Sequence, residues 1–415
     1  MGGIAMSQYA LMHKNDVCGS LIIDDETGTL KIYKDNGSGL SPFLGNADTR
    51  RMKHWWEGRA VPASRKMMQE VLKQAGCTNT KMYLAKNLAL SMTDSYWIRP
   101  LDMDVKYEDV KLSSMNPFSD NKVPYHNATS YDSNAALGGQ MEKYWDIETQ
   151  FPTLVKESYK YFGQQAINEA FATYLHDLQE TTIPYVPYLA GHTEDNGLYC
   201  RCDAFTNDSV ELVSAYEVIE GSKLQNDKSL YDNYIRICAK LGIEAQEISD
   251  FMDYQTLTDF IISNTDEHLG NFGILRDSNT MQYLGPAPIY DSGNSMFFKE
   301  SSTVHTRLSL LQQPITSFYD SEEKMVKNIK NRQLVNIDLL PTVEETIALY
   351  TSYGFPEERA ITIANNYALK VDMAYEFENG ATISMYHERQ KESENIPETN
   401  NLEDNTDDFD VGEDL

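Results

Sequence analysis

The most informative stretch of this chain reads Asn264-Thr265-Asp266-Glu267-His268-Leu269-Gly270-Asn271-Phe272, and Tyr290-Asp291-Ser292-Gly293 follows it. A carboxylate at Asp266, an amide at Asn271 and a second carboxylate at Asp291 stand in the order in which phosphoryl-transfer sites use a base and two Mg²⁺ ligands. Such sites mainly position groups and neutralise charge, and hard oxygen ligands suit Mg²⁺. The pattern therefore indicates a phosphoryl-transfer site.

The flanks of this stretch predict where the three polar residues lie. The apolar run 260–262 is typical of the end of a helix. Residues 273–275 and 288–290 read as short strands around a turn at 277–279. We therefore expect all three residues at the ends of elements, facing one pocket.

At Thr265-Asp266, His268, Asn271-Phe272 and Tyr290-Asp291 the chain resembles the HipA-like serine/threonine kinases, whose signature is Thr-Asp-x-His-x-x-Asn-Phe followed by a Tyr-Asp turn. The resemblance covers roughly residues 110–380. It implies an α+β, two-lobed, protein-kinase-like fold, with a mixed nucleotide-binding lobe and a mainly helical C-terminal lobe. It also implies ATP and Mg²⁺ as cofactors, Asp266 as the catalytic base, Asn271 and Asp291 as metal ligands, and His268 among the nucleotide-binding residues.

A kinase also needs a lysine on the phosphates and a carboxylate that holds this lysine. Lys156 ends the β-prone run Thr153-Leu154-Val155-Lys156, and Glu169 opens an apolar helical stretch that resembles the Asn-Glu helix of the family. We interpret Lys156 as the ATP lysine and Glu169 as its ion-pair partner. Taken alone, such a pair is more often a solvated surface feature.

The run Tyr199-Cys200-Arg201-Cys202-Asp203-Ala204-Phe205 alternates like a strand and then resembles the segment with which this family grips adenine. Asp203 and Phe205 would then flank the base. The Cys-x-Cys pair could instead suggest a metal site, but zinc sites usually add a second pair or histidines at fixed spacing. One buried face of a strand is the better interpretation of Cys200 and Cys202.

The phosphate loop is predicted at Gly138-Gly139-Gln140-Met141-Glu142-Lys143, which resembles a Gly-x-x-x-Lys segment of the family between two strands. Glycine lets backbone amides approach phosphate oxygens closely, so Gly138, Gly139 and Lys143 are expected to bind the nucleotide. In HipA, a serine three residues before the matching glycine is autophosphorylated, and here that position is Ala136. Glu267, beside the predicted base, is expected to affect the choice of acceptor.

Composition restricts the class of protein. The 415 residues carry 63 acidic and 35 basic side chains, a formal net charge of −28, and ten of the acidic residues lie in 391–415. Such a charge opposes direct binding of nucleic acid, which depends on clustered Lys and Arg. No long apolar run or secretory pattern is present, and five scattered cysteines argue against a disulfide framework. We therefore expect a cytoplasmic protein without a membrane segment.

Changes in composition along the chain predict four parts. Residues 1–105 read as a small N-terminal α+β module, in which Trp55-Trp56 are core anchors rather than a ligand platform, and 106–220 as the nucleotide-binding lobe. Residues 221–388 read as the helical catalytic lobe. The acidic stretch 389–415 is expected to be a disordered tail, because it has too few apolar residues to offset the entropy of ordering.

The resulting hypothesis is an ATP- and Mg²⁺-dependent kinase that phosphorylates a serine or threonine hydroxyl of an unidentified protein. By family analogy it would be the toxin of a toxin-antitoxin pair, with a small antitoxin protein as its partner. Two alternatives stay open: a non-catalytic nucleotide-binding regulatory module of the pseudokinase kind, and a kinase of small molecules or lipids on the same fold. The sequence leaves the acceptor and the oligomeric state undetermined.

Overall fold

The computed structural model describes residues 5–45, 47–65, 68–112, 131–139, 141–147, 151–195 and 197–394. These residues form three antiparallel sheets and a set of helices concentrated in the C-terminal half. The chain therefore has the mixed α+β architecture that the sequence predicts.

The N-terminal module contains a four-stranded sheet of order β3-β2-β1-β4 and three helices. Its strands are β1 (Met6–His13), β2 (Asp16–Asp24), β3 (Leu30–Asp35) and β4 (Tyr96–Pro100), and its helices are α1 (Thr49–Arg59), α2 (Met68–Ala75) and α3 (Thr80–Lys86). Strands β2 and β3 pair as an antiparallel hairpin. Trp56 is fully buried and its ring N–H donates to the Gly28 carbonyl at 2.8 Å, so Trp56 anchors the core of the module.

The nucleotide-binding lobe is built on a second four-stranded sheet, of order β5-β6-β8-β7. After the short α4 (Tyr107–Val110), its elements are β5 (Glu142–Asp146), β6 (Thr153–Ser158), α5 (Gln164–Leu178), β7 (Leu189–His192) and β8 (Leu198–Asp203). Helix α5 packs across β6, β7 and β8 through a nearly continuous buried face. This packing places the side chains of β6 opposite those of α5.

A three-stranded sheet of order β11-β10-β9 and eight helices make up the C-terminal part. The strands are β9 (Val210–Ser214), β10 (Gly273–Asp277) and β11 (Tyr283–Pro286). The helices are α6 (Ala215–Glu220), α7 (Leu230–Lys240), α8 (Ala245–Ile262), α9 (Arg307–Leu311), α10 (Glu322–Val326), α11 (Val343–Ser352), α12 (Glu357–Glu378) and α13 (Met385–Glu394). Helix α8 ends at Ile262, and the following Ser263 has φ of +53° and turns the chain into the stretch 264–272.

One sequence prediction in this region is wrong. Residues 288–290 do not pair with β10, because β10 pairs with 283–286 across the turn and only a single bridge joins Ile289 to Tyr185. The tight turn after Asp277, whose side chain accepts from the N–H groups of Asn279 and Thr280, brings the chain back earlier than the apolar pattern suggested.

One hydrophobic core extends from α5 and β8 through the helical part, whereas the N-terminal module has its own cores. In the described ranges, no helix is both long and apolar enough to cross a bilayer. Helix α13 continues to Glu394, past the predicted start of the tail at 389, and the remainder of that tail lies outside the described residues. Residues 113–130 of the predicted nucleotide-binding lobe also lie outside them.

Candidate active site

A buried ion-pair triad occupies the junction of β6, α5 and the Asp291 turn. The Lys156 ammonium lies 2.6 Å from Oε1 of Glu169 and 2.7 Å from Oδ1 of Asp291. Lys156 and Glu169 are buried, while about a third of the Asp291 side chain, 32%, is exposed. Lys156, Glu169 and Asp291, which separate sequence motifs identified, are therefore in contact with one another. The cluster is accessible to solvent at Asp291.

The turn that carries Asp291 is held by α5. Asp291 has φ of +66°, a left-handed conformation that Asp tolerates better than most residues, and the following Ser292 donates its N–H to Oε2 of Glu169 at 3.0 Å. Asn168 donates to the carbonyls of Gly293 (2.8 Å) and Ser295 (2.6 Å). Asn168 and Glu169 of α5 thus position both Lys156 and the turn that carries Asp291.

The charges of the triad reinforce one another. Burial opposes the ammonium of Lys156, yet Asp291 and Glu169 raise its pKa well above the ordinary value. Burial alone would also raise the pKa of Asp291, but the Coulombic attraction of Lys156 and of Lys143 lowers it below its ordinary range. Lys156 and Asp291 therefore stay charged at neutral pH. A cation that binds anions and a carboxylate that binds a metal both require this.

The loop that follows α8 presents Asp266 and Asn271. Oδ2 of Asp266 accepts from the Asn294 amide at 2.7 Å, and the Asn271 amide donates to the Asp266 carbonyl at 2.8 Å. Within the described ranges, Oδ1 of Asn271 accepts from no donor. The loop thus leaves one carboxylate oxygen and one amide oxygen available to ligands.

His268 lies in the same loop and is exposed, with Nδ1 accepting from the Gly270 N–H at 3.1 Å. Its electrostatic influence contributes to the lowered pKa of Asp291, so the imidazole lies on the side of the pocket that holds this carboxylate. The structure thus brings His268 near the triad without giving it a side-chain partner in the pocket.

The glycine segment and Lys143 form another wall. Lys143 lies on β5, directly opposite Lys156 on β6, and a Cβ added to Gly139 would come within 2.8 Å of the Lys143 ammonium. Burial lowers the pKa of Lys143 to about 8. Residues 131–139 contain no strand, and β5 begins at Glu142. Because residues 113–130 lie outside the described residues, the placement of this segment between two strands stays a prediction. Gln140 lies outside the described residues.

The predicted adenine segment follows β8. Asp203 ends β8 and is exposed, and its Oδ1 accepts from the Thr153 hydroxyl at 3.4 Å. The ring centre of Phe205 lies 5.4 Å from that of Tyr290, the residue before Asp291. Phe205 therefore lies beside the turn that carries Asp291. Cys200 and Cys202 are buried free thiols on one face of β8, as predicted.

Glu267 does not face the pocket. Its side chain is buried, and its two carboxylate oxygens accept from the amides of Gln255 and Asn264. Burial raises its pKa well above the ordinary value. The expectation that Glu267 affects the choice of acceptor is therefore wrong, because the side chain turns into the helical lobe.

Some residues of the site carry no local sequence signal. Asn294 holds the Asp266 carboxylate, and the Tyr350 hydroxyl donates to Oδ1 of Asn168 at 2.6 Å. The Tyr188 ring lies 4.6 Å from the Lys156 ammonium. Asn168 itself stood beside Glu169 in the quoted motif, and only this adjacency could have identified it.

No family model matches this chain. The serine/threonine-protein kinase CtkA of Helicobacter pylori strain J99 is 28% identical over 153 residues, which are 36% of this chain and 47% of that protein. The chain thus matches about half the length of this curated relative.

Two solved structures show remote similarity. The H. pylori proinflammatory kinase CtkA is 17% identical with a TM-score of 0.42, covering 58% of this chain and 96% of that one. HipA of Shewanella oneidensis MR-1, solved with HipB and its operator DNA, is 12% identical with a TM-score of 0.42, covering 92% and 95%. Over 153 residues the chain is thus similar in sequence to a serine/threonine kinase, and its motifs resemble those of the HipA-like kinases.

Proposed function

We propose that this chain is a phosphotransferase that uses ATP and Mg²⁺ to phosphorylate a hydroxyl group of a protein. The observation that carries this proposal is the contact of one buried lysine, Lys156, with both Glu169 and Asp291. In kinases the lysine positions the phosphates, the glutamate holds the lysine, and the aspartate binds the metal. Two protein oxygens for the metal, Asn271 Oδ1 and the free oxygen of Asp291, fit the preference of Mg²⁺ for one or two protein ligands plus phosphates.

Mg²⁺ bound there would neutralise charge that develops on the transferred phosphoryl group. Lys156 and Lys143 add two cations on the β5-β6 side, where the triphosphate would lie. Asp266 has one carboxylate oxygen fixed by Asn294, which orients the other to accept the proton of the attacking hydroxyl. The hydroxyl oxygen then forms the new bond to the γ-phosphorus, the bond to the β-phosphate oxygen breaks, and ADP leaves.

Purified protein incubated with Mg²⁺ and γ-labelled ATP, alone and with cell lysate, tests this proposal. Asp266→Asn should reduce transfer by about 10² to 10⁴-fold, the usual contribution of a general base, while nucleotide binding persists. Asp291→Asn should abolish transfer and weaken binding of Mg-ATP. The exposed Asp227→Asn serves as the matched control and should behave like the wild type.

The outcomes separate the competing functions. Label on protein that requires both Asp266 and Asp291 supports the kinase. Label in small molecules or lipids assigns a different acceptor class, and Mg-ATP binding without transfer favours a regulatory module. Absence of Mg-ATP binding would overturn the proposal.

A toxin role stays a prediction from the family resemblance. HipA of S. oneidensis was solved with HipB and operator DNA, and a small antitoxin partner of this chain would correspond to HipB. Growth arrest on expression of the wild type, absent with Asp266→Asn, is the expected result for a toxin.

A further inference from the structure

Arg65 of the N-terminal module contacts the glycine segment through four backbone carbonyls. Its Nη2 donates to the carbonyls of Leu137 (2.5 Å), Gly138 (2.8 Å) and Gly139 (2.9 Å), and its Nη1 donates to the carbonyl of Lys143 (3.1 Å). The side chain is only 6% exposed. Burial lowers its pKa to about 10, so the guanidinium is still charged at neutral pH.

This contact fixes the direction of the amides in the segment. In a planar trans peptide the C=O and the following N–H point in opposite directions. Because the carbonyls of Leu137 and Gly138 converge on Arg65, the N–H groups of Gly138 and Gly139 point away from it. Successive amides that face one side form a concave binding site for phosphate oxygens.

The glycine segment also adjoins the lysine pair of β5 and β6. Gly139 has φ of +86° and adjoins the ammonium of Lys143, which stands across from Lys156. Two independent contacts press the segment onto the module: the Val61 N–H donates to the Ala135 carbonyl at 3.1 Å, and a Cβ on Gly138 would lie 2.7 Å from the Gly58 carbonyl. The N-terminal module therefore restricts the conformation of the glycine segment.

We propose that Arg65 is a positioning residue for the nucleotide: by binding the carbonyls of 137–139 and 143 it presents the glycine amides to the polyphosphate of a nucleoside triphosphate. The inference rests on the proposed function only in that the bound ligand is ATP. It makes the N-terminal module a determinant of nucleotide affinity rather than a separate appendage.

The variants Arg65→Gln and Arg65→Lys test the role, with Arg50→Gln as the control. Arg50 is an exposed arginine of the same module that pairs with Glu220. Lysine keeps the charge but lacks the planar fork, so Arg65→Lys should fall between the wild type and Arg65→Gln. Gly138→Ala, which keeps Arg65 but collides with the Gly58 carbonyl, disturbs the same contact from the other side.

Two measurements decide the outcome. Hydrogen exchange of the nucleotide-free protein should accelerate at the amides around 137–143 in Arg65→Gln and not in Arg50→Gln. Affinities for Mg-ATP and Mg-ADP should fall by about tenfold or more, whereas affinity for adenosine, which has no phosphate, should change less than about twofold. Gly138→Ala should show the same difference between ATP and adenosine.

Equal losses of ATP and adenosine affinity, with a lower melting temperature, would assign Arg65 a purely structural role and overturn the inference. Unchanged exchange and unchanged affinity would overturn it as well. Because the readout is binding, a wild type that binds Mg-ATP without transferring phosphate would refute the proposed function and leave this inference standing. A wild type that does not bind Mg-ATP would overturn both.

Discussion

The buried carboxylate of Glu211 on β9 joins the N-terminal module to β10, the strand that follows the loop of Asp266 and Asn271. Its oxygens lie 3.1 Å from Nε2 of His13 on β1 and 2.7 Å from Nε of Arg276 on β10, and it also accepts from the Ser95 N–H at 3.1 Å. The Arg276 guanidinium donates further to the hydroxyl of Tyr96 at 3.0 Å. We predict that Glu211→Gln destabilises the fold strongly, because it leaves the buried Arg276 charge uncompensated.

Two estimates of the cost agree. Burial alone would raise the pKa of Glu211, yet the hydrogen bond from His13 and the charge of Arg276 lower it from 4.5 to about 2. A lowering of this size corresponds to about 3 kcal/mol of stability at neutral pH. Removing one partner of a buried ion pair costs about 3 to 5 kcal/mol. We therefore expect the free energy of unfolding to fall by about 3 kcal/mol in Glu211→Gln.

The pH dependence provides a second test of the same prediction. Because the folded pKa of Glu211 is lowered, its contribution is fully present above 4.5 and is lost as the pH falls towards 2. The difference between wild type and Glu211→Gln should therefore shrink to less than about half of its neutral value by pH 3.

Urea denaturation at pH 7 and at pH 3 measures both quantities. The control is Glu220→Gln, which removes a partly exposed pair with Arg50 and should cost less than about 1 kcal/mol. A cost below about 1 kcal/mol for Glu211→Gln at pH 7, or a difference that does not shrink at pH 3, would refute the reasoning.

Three further predictions concern the pocket and the polar residues beneath it. Lys156→Met should weaken Mg-ATP binding by at least about tenfold and abolish transfer, because it removes a buried cation from the site of the phosphates. Equilibrium binding and labelling measure these effects, and an unchanged affinity for Mg-ATP would contradict the prediction. Glu267→Ala should lose at least about 1 kcal/mol in urea denaturation, because it leaves the buried amides of Gln255 and Asn264 without their acceptors. Glu267→Gln, which keeps one acceptor oxygen for these two amides, should lose less, and an equal loss in both variants would contradict this reasoning. Burial raises the pKa of Asp259 from 3.8 to about 7, so the folded state favours its protonated form and the free energy of unfolding falls as the pH rises between these values. Asp259→Asn should therefore gain more stability over the wild type at pH 8 than at pH 5, and an equal gain at both pH values would exclude this cause.

The sequence predicted those parts of the site that depend on short spacing. Asp266 and Asn271 lie five residues apart in one loop, and Lys156 and Glu169 are thirteen residues apart on adjoining elements, so a linear motif can encode them. Asp291 is more distant, but its left-handed turn restricts the local sequence, and the structure places it against Lys156.

Residues whose role depends on tertiary contact carried no such signal. Arg65 reaches a segment more than seventy residues away, and nothing in its neighbourhood distinguishes it from a surface arginine. The burial of Glu267 follows from Gln255 on α8, which the loop sequence does not reveal. The wrong strand at 288–290 has a similar origin: the run is apolar because Ile289 is buried in the core, and burial alone does not require a sheet partner.

Two buried polar junctions, at Arg65 and at Glu211, join the N-terminal module to the rest of the chain. Through Arg65 the module holds the segment that would bind phosphates, and through Glu211 it holds β9 and β10, of which β10 begins two residues after Asn271. A displacement of the module would therefore disturb both the amides of the glycine segment and strand β10, which follows Asn271. A protein that bound the module and shifted it could change nucleotide affinity without entering the pocket, because both contacts are polar, buried and directional. Regulation at the module would then appear as a change in the affinity for ATP at an unchanged affinity for adenosine, the same signature by which Arg65 is tested.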